Sequence, residues 1–279
     1  MLLFPNAKIN LGLRILKKRS DGFHDIETLF LPLDITDILE FVETENNTTT
    51  FTVTGIELDS TSEENLVVKA WNIMKKDFRI PPLSIHLHKI IPVGAGLGGG
   101  SADAAFMLKG INEYFGCGCS GEELKKYAAE LGSDCAFFIE NATMLGTRRG
   151  EVLEPLNIQL HNYEVLLIKP DITISTKEAY SGVTPAVPEK SLKELILKPI
   201  NEWRNTIKND FEISVFEKYP EIESIKNRLL DMGASYSAMS GSGSAVYGLF
   251  EQGVIPERYQ DFKDCIIYRG KILDSIEQD

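Results

Sequence analysis

Between Ala7 and Ile15 the apolar residues Ala7, Ile9, Leu11, Leu13 and Ile15 fall on one face, and Lys8, Asn10 and Arg14 on the other. That period of two predicts a half-buried strand. Strand-like runs follow at 26–31, 37–42 and 51–55, and the polar tract Asn46–Thr50 between the last two reads as a hairpin tip. A helix is expected from Thr61, where Thr61 and Glu64 can form a capping box, to about Phe78. Leu83, Ile85 and Leu87 alternate with Ser84, His86 and His88 in another strand, whose histidines read as a polar face rather than a metal site. After a glycine-rich stretch the pattern turns helical from Ser101 to Phe115. It does so again from a second capping box, Ser120 and Glu123, to Gly132 at the C-terminal cap.

The second half opens with a strand at 164–169, just past an expected domain boundary near Pro155. A proline-bearing connection over 181–200 leads into a helix. Then come a helix at 220–232, strands at 236–239 and 245–250, a short helix near Glu257 and a strand at 265–268. This α-β-β-α-β order predicts an α+β sandwich with helices on one face of an antiparallel sheet. Two domains are expected, residues 1–155 and 156–279.

The chain of 279 residues carries a formal net charge of −12 without a long Lys/Arg cluster, which argues against nucleic acid or an anionic membrane as partner. No apolar run approaches the roughly 20 residues that span a bilayer. The opening MLLFPNAKIN lacks the basic flank and small-residue cleavage pattern of a signal peptide, so a cytoplasmic protein is expected. Cys117, Cys119, Cys135 and Cys265 form no C-x-x-C pair and read as free thiols.

An acidic chain can still bind phosphates if backbone N–H groups are aimed locally. The stretch Pro92-Val93-Gly94-Ala95-Gly96-Leu97-Gly98-Gly99-Gly100-Ser101 places five glycines in seven residues ahead of a helix. Glycines permit positive φ and close approach of the backbone to an anion, and the helix start adds free donors. Gly94, Gly96 and Gly99 match G-x-G-x-x-G, but no second strand ending in an acid follows, so a nicotinamide-dependent oxidoreductase is disfavoured. No Gly-Lys-Ser/Thr follows either, which excludes a Walker-type loop.

PVGAGLGGGSADAA resembles the second motif of the GHMP kinases, a family named for galactokinase, homoserine, mevalonate and phosphomevalonate kinases. AKINLGL at 7–13, DGFHDIETLF at 21–30, LGSD at 131–134 and SGSGSAVYGLF at 240–250 extend the resemblance over nearly the whole chain. They point to the branch of the family that acts on a cytidine-diphosphate polyol in non-mevalonate isoprenoid biosynthesis. Ala102, Cys135 and Ala136 depart from the usual pattern, as does the segment Thr147–Gly150. The resemblance implies a two-domain α+β fold, with a ribosomal-S5-like N-terminal domain that holds ATP and a ferredoxin-like C-terminal one. Another GHMP small-molecule kinase, acting on homoserine, mevalonate or a sugar, is the alternative. A non-catalytic nucleotide sensor is disfavoured by the presence of both Lys8 and Asp134.

The resemblance implies that Asp134 accepts the proton of the substrate hydroxyl and that Lys8 lies beside it. An ammonium there would favour the ionised carboxylate and steady an incipient alkoxide. ATP would lie along Pro92 to Ser101 and Ala102, with Mg²⁺ expected and its ligands unassigned. Asn10 shares the polar face of the first strand with Lys8. Phe23, His24 and Tyr180 are the implied recognition set for the cytosine, whose flat faces and polar edge suit aromatic rings and an imidazole. Gly241 and Gly243 belong to a turn between two strands, Ser240–Ser244, implied to face the substrate's diphosphate. Small-molecule partners alone are expected.

Overall fold

The computed structural model describes residues 1–58, 61–256, 262 and 264–273. In its first half the chain forms β1 (Leu2–Leu3), β2 (Asn6–Lys18), β3 (His24–Thr36), β4 (Ile38–Glu43), β5 (Thr50–Gly55), α1 (Leu66–Asp77), β6 (Leu83–Lys89), α2 (Gly99–Tyr114), α3 (Gly121–Leu131) and α4 (Cys135–Glu140). There follow β7 (Met144–Arg148), β8 (Val152–Pro155), β9 (Tyr163–Pro170), α5 (Thr176–Ser181), α6 (Leu192–Ile196), α7 (Ile200–Thr206), α8 (Glu212–Lys218), α9 (Pro220–Asp231), β10 (Tyr236–Met239), β11 (Val246–Glu251) and β12 (Cys265–Lys271).

These elements form two compact units that interleave along the chain. The first takes residues 1–7, 35–93 and 98–141; the second takes 8–34, 94–97 and everything from 142 on. The division is not a single cut, whereas one cut near Pro155 was expected. Pro155 ends β8, within the second unit.

In the first unit the sheet order is β1-β4-β6-β5. β4 pairs antiparallel with β6, and β5 pairs parallel with β6 on its other side. The expected hairpin across Asn46–Thr50 is therefore corrected: alternation marks each strand, but β6 enters between them and takes the hydrogen bonds of both. The Thr61–Glu64 side-chain bond forms at 3.1 Å, but it closes a 3-10 turn at Ser62–Glu64. The long helix begins later, at Leu66, because Asn65 caps it by accepting from the Val67 N–H at 2.9 Å. α1 buries Val67, Ala70, Trp71 and Met74. α3 starts at the expected Ser120–Glu123 capping box. Gly132 ends it in extended backbone rather than a left-handed cap, and α4, which the sequence reading missed, follows three residues later.

In the second unit β2, β3, β7 and β8 make one sheet, of which β7 and β8 were not anticipated. A second sheet has the order β10-β11-β9-β12, all neighbours antiparallel. Counted in chain order that is 4-1-3-2, the ferredoxin-like arrangement expected for the C-terminal part. Leu166, Ile168, Val246 and Phe250 of this sheet join Ile222, Ile225 and Leu229 of α9 in one core, which also takes Leu13, Ile15 and Ile26. The expected helix near Glu257 lies outside the described residues.

One expectation about β2 is overturned. From Asn6 to Leu13 both of its faces are buried, so Lys8 and Asn10 stand inside the protein at 3% and 2% exposure. Among the described residues no helix is long and apolar enough to cross a membrane.

Candidate active site

The glycine-rich stretch owes its shape to alternation of backbone hand. Gly94, Gly96 and Gly98 hold φ of +64°, +76° and +72°, and neither Ala95 nor Leu97 between them has a positive φ. Successive N–H groups in such an alternation converge to one side, as an anion nest requires. Gly98 is the N-cap of α2 and brings no side chain to satisfy the first N–H groups of a 16-residue helix. The donors of Gly99, Gly100 and Ser101 are thus left for a ligand, at the positive end of the helix dipole. The Ala102 N–H is already spent on the Gly98 carbonyl at 2.9 Å, and the side chains of Ala95, Leu97 and Ala102 are buried. Val93, by contrast, is exposed.

Asp134 sits in the first unit with the start of α2, half-buried at the N-cap position of α4 without capping it. The next residue, Cys135, is fully buried and lies near Ser101 in the first turn of α2. Burial pushes the Cys135 thiol up to about 11, against the lowering effect of Ser101, so it stays protonated and structural.

In the second unit Lys8 is fixed by a hydrogen bond from its ammonium to Asn10 Oδ1 at 2.6 Å, and the ammonium lies 5.4 Å over the Phe30 ring. Asn10 is itself oriented. Its Nδ2 donates to Thr28 Oγ1 at 3.0 Å, Thr28 donates to the Gly12 carbonyl at 2.5 Å, and the Asn10 N–H donates to Ser240 Oγ at 3.3 Å. Ser240 donates in turn to the Gly96 carbonyl at 2.8 Å, and the Lys8 N–H to the Leu97 carbonyl at 2.9 Å. Strand β2, residues 94–97 and the turn 240–243 are therefore one hydrogen-bonded assembly. Thr28 was missed as a site residue; only its alternation with apolar neighbours could have marked it. The turn keeps Gly241 and Gly243 at φ +54° and +87°. Asn209 holds it from behind, donating to the Met239 and Gly241 carbonyls at 2.8 Å each.

His24 and Tyr180 are brought together, but as direct neighbours. Their rings stack at 4.8 Å between centroids and 18° between planes, and Phe211 meets Tyr180 edge-on at 4.8 Å. No gap of base width separates them. Phe23 is 52% exposed, with the Arg149 guanidinium 4.9 Å over its ring.

A buried ionic cluster, unforeseen in the sequence, lies in the first unit. The Lys89 ammonium bonds Asp37 and, at 2.8 Å, Asp103 on α2. Asp37 Oδ1 also accepts the N–H groups of Ile90 and Ile91 at 2.6 and 2.9 Å. Burial pushes the Asp103 carboxyl up from 3.8 to about 7; Lys89 opposes the shift and Asp37 adds to it. The unfolded chain releases this proton near the ordinary value while the folded chain still holds it. Rising pH across the window from 3.8 to about 7 therefore favours unfolding. Asp103→Asn is expected to gain thermal stability relative to the parent as pH rises from 5 to 8. A midpoint difference that does not change with pH in thermal melts contradicts this.

Close to the cluster a cleft of about 370 Å³ is lined by Phe51, Val53, Ile56, Leu58 and Asn65 among others. The Ile56 N–H donates to the Lys89 carbonyl at 3.0 Å, so one wall of the cleft is tied to the strand that leads into the glycine loop.

A profile of the GHMP kinases N terminal domain matches residues 65–141, and one of the GHMP kinases C terminal region matches residues 190–262. A 4-diphosphocytidyl-2-C-methyl-D-erythritol kinase of Parabacteroides distasonis is 52% identical over 272 residues, covering 98% of this chain and all of that one. The chain belongs to the GHMP kinase family. Among solved structures, a 4-(cytidine 5'-diphospho)-2C-methyl-D-erythritol kinase superposes with a TM-score of 0.73 at 29% identity, over 89% of this chain and 90% of that one. A homoserine kinase from Cytophaga hutchinsonii gives a TM-score of 0.68 at 19% identity, covering 96% and 95%, and shows the shared GHMP kinase fold alone. The glycine stretch from Gly98 and the residues before Asn141 fall inside the N-terminal match.

Proposed function

We propose that this GHMP kinase transfers the γ-phosphoryl group of ATP to a hydroxyl of 4-diphosphocytidyl-2-C-methyl-D-erythritol. The products would be its 2-phosphate and ADP, on the non-mevalonate route to isoprenoid precursors. The observation that carries the reading is full-length identity above one half to a kinase named for that acceptor. The helix start at Gly98–Ser101, which no side chain caps, supports it, because phosphoryl transfer asks the protein mainly for positioning and charge stabilisation.

In this reading the phosphates lie on the N–H groups of Gly99 to Ser101, and the cleft at Ile56 and Asn65, of mixed apolar and polar lining, takes the adenine. Residues 1–155 then serve ATP and residues 156–279 the acceptor, except that Lys8, Asn10, Phe23, His24 and Asp134 also act on the acceptor. Asp134 takes the hydroxyl proton. Lys8, held at Asn10, supplies positive charge to the developing alkoxide. Gly241 and Gly243 offer backbone to the acceptor's diphosphate. Among the described residues no three His, Cys, Asp or Glu side chains gather as a metal cage. That fits Mg²⁺ arriving on the triphosphate with most of its water, where it neutralises phosphate charge.

Coupled ADP release is expected with the cytidylyl acceptor, at a kcat/KM at least about 100-fold above mevalonate, homoserine or galactose. Equal or better turnover of one of those three overturns the acceptor assignment. His24 and Tyr180 recognise the cytosine. A base between them must part the rings from 4.8 Å to about 7 Å, or else stack on an outer face. Stacking on an aromatic ring contributes about 1–3 kcal/mol. Tyr180→Ala is therefore expected to raise the acceptor KM by roughly 10- to 100-fold and leave the KM for ATP unchanged. Steady-state kinetics varying each substrate in turn would reject the pocket if the ATP value rose instead.

A further inference from the structure

The ionic cluster at Lys89 has no part in the chemistry proposed above, yet it is buried at considerable cost. Lys89, Asp37 and Asp103 are 3%, 0% and 2% exposed. Buried charges survive only where the geometry gives each of them partners. Here the partners are distributed in a particular way. Asp37 Oδ1 receives the N–H groups of Ile90 and Ile91, the last two residues before Pro92. Lys89 bonds Asp37 on one side and Asp103 on the other. Asp103 stands on α2, two residues beyond Ser101. The ammonium also lies 3.2 Å from where a Cβ on Gly99 would stand, with Ile91 Cγ2 at 2.9 Å from the same point. One lysine thus ties the chain just before the glycine loop to the helix just after it, and packs against the first residue of that helix.

We propose that Lys89, held between Asp37 and Asp103, is a positioning residue that clasps the two ends of the glycine loop and presets the first turn of α2 for the nucleotide's phosphates. The physical reason is entropic. Five glycines in seven residues have more backbone freedom than any other composition, and a ligand that must order them loses affinity. Fixing both ends before the nucleotide arrives removes part of that loss. A hydrophobic pair could hold the ends together, but it could not receive the two N–H groups at Ile90 and Ile91 as well. Gly99 has to be glycine for the same reason: any side chain there meets the lysine and Ile91.

The proposal rests on the reading that phosphates bind at Gly98–Ser101, and the test separates the two. Asp103→Leu fills the same space and leaves the Lys89–Asp37 pair intact, while Asp103→Asn keeps an oxygen that accepts from Lys89. Titration calorimetry with an unhydrolysable ATP analogue is expected to show Kd raised about 10- to 100-fold in Asp103→Leu, the scale on which a displaced binding group weakens a site. In Asp103→Asn it is expected within about threefold of the parent, and the acceptor KM is expected to hold within about threefold in both. A folded Asp103→Leu with parental nucleotide affinity overturns the clasp, as does an Asn variant as weak as the Leu one. A parent protein that binds no nucleotide overturns the phosphate site itself, and the clasp with it. If Asp103→Leu does not fold, amide exchange in the unliganded parent decides. Slow exchange at Ile90 and Ile91 supports a closed clasp, and exchange as fast as at exposed loop amides overturns it.

Discussion

Asp134→Asn is expected to lower kcat by on the order of 10²–10⁴, the range for removing a general base, while nucleotide affinity stays within a few-fold. Asparagine has nearly the same shape and still accepts hydrogen bonds, but it cannot take a proton. Asp134 is half-buried at the start of α4 and makes no capping bond to it, so thermal melts of the Asn variant belong beside the kinetics. Its neighbour Cys135 is fully buried near Ser101 at the start of α2. The loss should therefore appear in the chemical step and not in either KM. Single-turnover phosphoryl transfer with the cytidylyl acceptor is the measurement. Parental turnover in the Asn variant would remove Asp134 from the mechanism.

Gly96→Ala is expected to lower kcat/KM by roughly 10²–10³, although it adds only one methyl group. At Gly96 a Cβ would fall 2.0 Å from the Ser240 carbonyl oxygen and 2.8 Å from its carbon, both main-chain atoms, and φ is +76°. Strained backbone of this kind costs about 1–3 kcal/mol, and the contact forces residues 94–97 away from the turn 240–243 besides. A displacement of about 1 Å is enough for a 10²-fold loss when reacting groups must be aligned. Because Ser240 also receives the Asn10 N–H, the shift would reach Lys8 through Asn10. Kinetics and thermal melts together check this: an unchanged kcat/KM in Gly96→Ala would mean that the loop and the turn are not locked together. Gly94→Ala is a useful comparison, since a Cβ there meets only Thr173 Cγ2, at 3.7 Å.

Much of this was legible in the chain. The strands at β4, β6, β10 and β11, the helix after the glycine loop and the capping box at Ser120 all follow from period and cap chemistry. What the pattern could not give was partnership. β5 looks like the second arm of a hairpin until β6, thirty residues on, takes its hydrogen bonds. Lys8 and Asn10 read as the wet side of a strand because polarity normally marks solvent; here it marks an interior built around a hydrogen-bonded ammonium. The same blindness hid Lys89, Asp37 and Asp103, which are 52 and 14 residues apart in pairs and look like ordinary surface charges. α4 was lost because its six residues are too few to show a helical period. His24 and Tyr180 were named from the sequence, but not their direct stacking, which depends on the distant segment that carries Tyr180.

The interleaving of the two units has a consequence for the order of events at the ribosome. The first unit is complete once residue 141 has emerged, except that residues 8–34 and 94–97 in its midst belong to the other one. Leu13, Ile15 and Ile26 find their packing partners in Leu166, Val246 and Phe250. At about 5–20 residues per second, the nascent chain must carry that apolar hairpin without its final cover for roughly ten to forty seconds. A folded N-terminal unit would then extrude its own unsatisfied loop of chain. That makes residues 8–34 the place where a holdase would bind during synthesis, and where crowded expression would first lose protein to aggregation.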